Sequence, residues 1–121
     1  MNKEKVPICH KGECVRDYMY IDACCSAVQK IIECGTANTI YNVSSGWEFS
    51  NLEIFQCVCN ALGGGHDSLY FEDPKESGHD GGRYALDNSR LKNLNWAYEL
   101  KFKDALKNTC EWYKNNPWML K

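Results

Sequence analysis

Helix starts and stops recur so closely along this chain that every helix in it must be short. Asp22 is placed to cap a helix over Ala23–Glu33, which Gly35 ends and which should turn Ala27, Val28, Ile31 and Ile32 inward. Ser50 and Glu53 have the spacing of a capping box, opening a second helix that runs to about Leu62 before Gly63-Gly64-Gly65. Asp87 or Asn88 caps a third, carrying Leu91 and Leu94, after which Asn95 can take a left-handed backbone. The fourth spans about Lys103 to Lys114, with Leu106, Cys110 and Tyr113 on one face, and stops at Asn115-Asn116-Pro117.

Between the helices lie short runs of strand-forming residues. Val6-Pro7-Ile8 and Cys14-Val15 read as an extended pair joined by the glycine turn His10-Lys11-Gly12-Glu13. Thr39–Val43 reads as a short buried strand, Ser44-Ser45-Gly46 as a turn, and Ser68–Glu72 as another strand. The predicted class is therefore α/β: one small mixed domain over residues 1–121, with about four helices and three or four short strands.

Charge and cysteine usage narrow the function classes. Of the 121 residues 25% are charged, yet the formal net charge is only −2, so no global field draws the chain to nucleic acid or an anionic membrane. No apolar run is long enough to span a bilayer and Met1-Asn2-Lys3-Glu4-Lys5 lacks a signal-peptide core, so a cytoplasmic protein is expected. Eight cysteines without a C-x-x-C pair then read as reduced thiols, with Cys59 and Cys110 on helical stripes as core filler. Cys57, Cys59 and His66, or Cys9, His10 and Cys14, form the alternative zinc sets, but neither has the spacing of a common structural finger.

Anion chemistry is concentrated in Gly78-His79-Asp80-Gly81-Gly82-Arg83-Tyr84-Ala85-Leu86-Asp87. Glycines let backbone approach a ligand closely, while His79 and Arg83 supply donors that suit phosphate oxygens. The same stretch also reads as an ordinary polar surface loop.

The order of motifs resembles a known family. Val6-Pro7-Ile8, Val15-Arg16-Asp17-Tyr18-Met19-Tyr20-Ile21-Asp22, Tyr41-Asn42-Val43 and Asn51-Leu52-Glu53 come first. Gly78-His79-Asp80, Arg83-Tyr84-Ala85-Leu86-Asp87, Leu94-Asn95-Trp96, Glu111-Trp112-Tyr113 and Asn116-Pro117-Trp118 follow in the family's order. Together they are similar to the C-terminal, nucleotide-sugar-binding half of dTDP-glucose 4,6-dehydratases, within the extended short-chain dehydrogenases (NAD-dependent epimerases and dehydratases).

The resemblance implies an enzyme that binds NAD in an N-terminal Rossmann half and holds a dTDP- or UDP-sugar mainly with its C-terminal half. That first half is expected to be missing here: no glycine-rich dinucleotide loop follows a strand, and none of the seven tyrosines has Lys four positions later. No cofactor is therefore expected on this chain alone. On the substrate side the resemblance makes Arg16 a diphosphate contact, His79 the loop histidine beside it and Asn42 a polar group near the nucleotide. A family arginine has no counterpart, and Lys75 supplies its charge without its bidentate geometry, which implies weakened or altered binding. Read without the family, Arg16-Asp17 is a surface ion pair, Asn42 a satisfier of backbone groups and His79 a loop residue.

Two functions follow. One is the sugar-nucleotide-binding part of a dehydratase-type protein, inactive alone and completed by a chain carrying the Rossmann half. The other is a non-catalytic interaction or structural subunit that self-associates or docks through the face from Ala23 to Val43, which the resemblance implies would pack on the Rossmann half and so would have lost its neighbours.

Overall fold

The computed structural model describes residues 6–64, 69–72 and 82–120. Its strands are β1 (Val6–Cys9), β2 (Val15–Tyr18), β3 (Trp47–Ser50), β4 (Leu69–Glu72) and β5 (Arg83–Tyr84). Its helices are α1 (Ile21–Cys34), α2 (Asn51–Leu62), α3 (Ser89–Lys92) and α4 (Phe102–Asn115). The expected mixed α/β class with four helices is the class observed.

Strand pairing departs from the expectation of an extended pair at the N-terminus. β1 pairs in parallel with β4, while β2 lies in a separate sheet between antiparallel β3 and parallel β5. The reason is the turn between them. His10, Lys11 and Gly12 all hold positive φ (51°, 52° and 79°), a left-handed turn that sends the chain from one sheet into the other. Gly12 is buried there, and a Cβ on it would come within 2.7 Å of Leu52 Cβ in the first turn of α2.

Helix α1 begins two residues before the expected start, so Tyr20 is the N-cap and Asp22 sits in the first turn, where its charge favours the helix dipole. Its buried residues are Ala23 and Ala27. Val28 (45% exposed) and Ile32 (79%) point outward, opposite to the amphipathic reading. Small side chains let the helix approach the body closely, and the large aliphatic stripe is left on the outside.

Thr39–Val43 forms no strand: Ile40 is 79% exposed and the run has no ladder partner among the described residues. Side chains hold it instead, with Arg90 Nη1 donating to the Ile40 carbonyl at 3.0 Å. Strand structure resumes at β3, which runs directly into α2 through the expected capping box. Ser50 Oγ accepts from the Glu53 N–H at 3.2 Å, and Glu53 Oε2 accepts from the Ser50 N–H at 2.7 Å. Gly63 ends α2, and Asn95 takes the left-handed backbone expected of it (φ 59°).

The interior joins the β2–β3 sheet to α2 and α4. Phe102 at the start of α4 stacks on Phe49 (ring centroids 4.2 Å apart) and meets Trp47 edge-on at 5.7 Å. Cys59 and Cys110 are buried on α2 and α4, as their helical stripes predict, and burial pushes both thiols above the usual range. All eight cysteines are free thiols. Trp96 packs back onto α1, donating from Nε1 to Ser26 Oγ at 3.0 Å.

Candidate functional site

Arg16 lies in the central strand of the three-stranded sheet, opposite Phe49 of β3 and Tyr84 of β5. Its Nη1 donates to the Val15 and Gly82 carbonyls, each at 2.7 Å, and its guanidinium carbon lies 4.6 Å from the centre of the Tyr84 ring. Of a guanidinium's five N–H groups, those on Nε and Nη2 of Arg16 have no partner among the described residues. That pair of nitrogens forms the side-on fork that grips two oxygens of a phosphate or carboxylate.

Asp17 does not pair with Arg16. Adjacent residues in a strand face opposite ways, and the Asp17 carboxylate accepts from Ser44 Oγ and, at 3.5 Å, from Ser45 Oγ. The surface ion pair is thereby replaced by two separate jobs: Asp17 fixes the Ser44-Ser45-Gly46 turn while Arg16 is left facing the other side.

Asn42 donates from Nδ2 to the Asp87 carbonyl at 2.9 Å, and its side chain is exposed. Nearby, buried Asn88 donates to the Ser44 carbonyl at 2.7 Å. Arg16 and Asn42 thus both grip the segment 82–90, at its start and near its middle. His79 and Lys75 lie outside the described residues, in the stretch that leads into Gly82. His66 of one zinc set lies outside them as well.

On the opposite face of the same sheet Arg83 and Glu48 form a bidentate ion pair across β2, through Nε to Oε2 and Nη2 to Oε1, the latter at 2.7 Å. The hydrogen bonds from Arg83 hold the Glu48 carboxyl below the usual range. Sequence reading made Arg83 a donor for phosphate oxygens and gave Tyr84 no role; the structure instead commits Nε and Nη2 of Arg83 to Glu48. Only the parallel β2–β5 register, which joins residues far apart in the chain, shows what each touches.

Two cavities flank the sheet. One of about 470 Å³ is lined by Tyr18, Tyr20, Ile21, Trp47, Phe102 and Trp112 among others, and one of about 340 Å³ by Trp47, Trp96, Tyr98 and Lys92 among others. Arg16 and Asn42 line neither. Tyr18 at the edge of the larger one donates to Asn51 Oδ1 at 3.0 Å, and burial raises its phenol above the ordinary value against the pull of Arg16.

The described residues do not fit a dinucleotide. Such a cofactor needs a glycine turn between a strand and a helix N-terminus. β2 enters α1 through Met19 and Tyr20, and β3 enters α2 with no intervening residue. The positive-φ glycines among the described residues lie elsewhere, at Gly12, Gly46 and Gly63.

No protein-family model matches the chain. Relatives and solved structures do. The low-salt glycan biosynthesis protein Agl12 of Haloferax volcanii is 35% identical over 112 residues, covering 93% of this chain and 36% of the relative. A dTDP-glucose 4,6-dehydratase of Streptomyces niveus is 31% identical over 117 residues, 96% of this chain and 34% of the relative. The crystal structure of a dTDP-glucose 4,6-dehydratase from Bacillus anthracis, in complex with NAD, superposes with a TM-score of 0.84 at 28% identity, over 95% of this chain and 36% of that one. The chain matches the C-terminal portion of dTDP-glucose 4,6-dehydratases. Its structural neighbours are extended short-chain dehydrogenases, and it spans about a third of the length of the relatives it matches.

The match covers nearly the whole of this chain. Arg16 and Tyr84 lie on two neighbouring strands of one sheet. Among the described residues no helix is long and apolar enough to cross a membrane.

Proposed function

We propose that this dehydratase-like portion binds the diphosphate of a dTDP- or UDP-sugar through Arg16. The observation that carries the reading is the seated guanidinium, with Nη1 tied to two carbonyls and its side-on fork without a partner among the described residues. The seat lies where the stretch bearing Lys75 and His79 rejoins the sheet, so these two residues are proposed as further contacts for the phosphates. Asn42 is proposed to act through the 82–90 backbone it holds, with its side chain at the edge of the nucleotide.

On this reading the chain works as one unit over residues 1–121 in the cytoplasm and does not turn over alone. Oxidation at a sugar carbon needs NAD and a tyrosine-lysine pair, and a clamp without reacting groups gives no preferential transition-state binding. A Rossmann-half partner chain would supply both. The surface that would meet it is the exposed aliphatic stripe of α1, Ile21 (64% exposed), Val28 and Ile32. The chain spans about a third of the length of these relatives, and a segment like the rest of their length is the occupant proposed for the stripe.

A thermal-shift titration tests the binding. dTDP or UDP at ten times Kd should stabilise the chain by about 1.4 kcal/mol, a rise of a few degrees in Tm, and Arg16→Ala should abolish it. Absence of any shift at millimolar nucleotide overturns the reading. The second reading, an interaction subunit without a ligand, rests on the same exposed stripe and gains if the chain oligomerises but ignores nucleotide.

A further inference from the structure

We infer that Tyr84 is a positioning residue for Arg16, and that the Glu48–Arg83 clasp on the far side of the sheet keeps Tyr84 in place. The inference rests on the reading of Arg16 as the diphosphate contact.

Register sets the arrangement. β5 is only two residues long and pairs Val15 with Arg83 and Arg16 with Tyr84. Alternation along the strands then puts Arg83 on one face of the sheet with Glu48, and Tyr84 on the other with Arg16. So short a strand has little ladder to hold it. The bidentate bond from Arg83 to Glu48 spans β2 and ties β5 to β3, which is itself anchored by the capping box of α2.

With β5 fixed, its backbone and its side chain act on one guanidinium. The Gly82 carbonyl accepts from Nη1 at 2.7 Å and the Tyr84 ring lies under the guanidinium plane at 4.6 Å. An aromatic face holds the plane without using any N–H group, so orientation costs no donor. A carboxylate in the same place would also hold Arg16, but would neutralise the charge and occupy the fork. Tyr84 is 56% exposed.

The test is calorimetric titration of the 121-residue chain with dTDP and with inorganic pyrophosphate, in the wild type, Tyr84→Leu, Tyr84→Phe and Glu48→Gln. Tyr84→Leu should weaken both ligands by about two- to fivefold, the worth of an exposed cation–π contact. Tyr84→Phe, which keeps the ring face, should bind as the wild type does. Glu48→Gln should weaken both ligands in the same direction with Tyr84 intact. In the ligand-free chain, the Arg16 Nε–H resonance should lose its ring-current shift in Tyr84→Leu and keep it in Tyr84→Phe, a readout that a general loss of stability does not reproduce.

Equal affinity in Tyr84→Leu and wild type overturns the positioning role and leaves the reading of Arg16 standing. Equal loss in Tyr84→Phe and Tyr84→Leu also overturns it, since the hydroxyl would then be the contact. Failure of the wild type to bind either ligand overturns the reading of Arg16, and this role with it.

Discussion

Gly12 and Gly46 hold nearly the same backbone angle, φ +79° and +76°, in opposite surroundings. A Cβ on Gly12 would meet Leu52 Cβ at 2.7 Å and Ile8 Cγ2 at 3.1 Å, whereas one on Gly46 meets nothing within 4 Å. Gly12→Ala should therefore combine left-handed strain with overpacking and cost about 2–4 kcal/mol, while Gly46→Ala should show the strain alone, about 1–2 kcal/mol. Urea unfolding of the two variants separates the terms, and equal costs would remove the packing argument. The glycine turn itself is legible in the sequence. That it is a packing contact is not, because Leu52 reaches it only after the chain has folded. Arg16 is similar: its guanidinium type suits phosphate from sequence alone, but its freedom from Asp17 depends on the strand alternation that sends the two side chains apart.

At the scale of elements, local chemistry predicts helices well and strand partners poorly. The Ser50–Glu53 box forms as its spacing demands because both partners lie within one turn. Ser50→Ala should cost about 1 kcal/mol and lower Tm by a few degrees. Glu53 adds a pH dependence whose sign follows from its hydrogen bonds to the Ser50 N–H and then the Ser50 hydroxyl, which lower its pKa in the folded state. Stability from a lowered carboxyl is complete above its unfolded value, about 4.3, and is lost as pH falls through the folded one. The Tm gap between wild type and Glu53→Gln should thus be full at pH 7 and narrow as the pH falls below about 4.3, and a gap unchanged on acidification would rule out the linkage. Strands lack such local rules. The run Thr39–Val43 has the composition of a strand but no ladder partner among the described residues, and β2 finds its parallel partner at Arg83 and Tyr84.

Across the whole molecule the decisive feature is α1, whose small residues face the body and whose large aliphatic ones face out. Its buried side is made by Ala23 and Ala27, and the side carrying Val28 and Ile32 is open. Val28→Glu with Ile32→Lys should leave stability within about 0.5 kcal/mol, since neither side chain is buried, and should abolish concentration-dependent self-association. Sedimentation of both chains checks this; a wild type that stays monomeric at high concentration would show the stripe is no self-association surface. By itself the sequence determined that four helices form and to within a residue or two where, that Cys59 and Cys110 fill the interior, and which side chains have phosphate chemistry. Those properties depend on residues within a turn or two of each other. The tertiary structure decided which strands pair, that Asp17 and Arg16 part company, that Tyr84 lies beneath the guanidinium, and that one face of α1 stays uncovered. Each of these depends on residues brought together from distant parts of the chain, where sequence spacing carries no record of the contact.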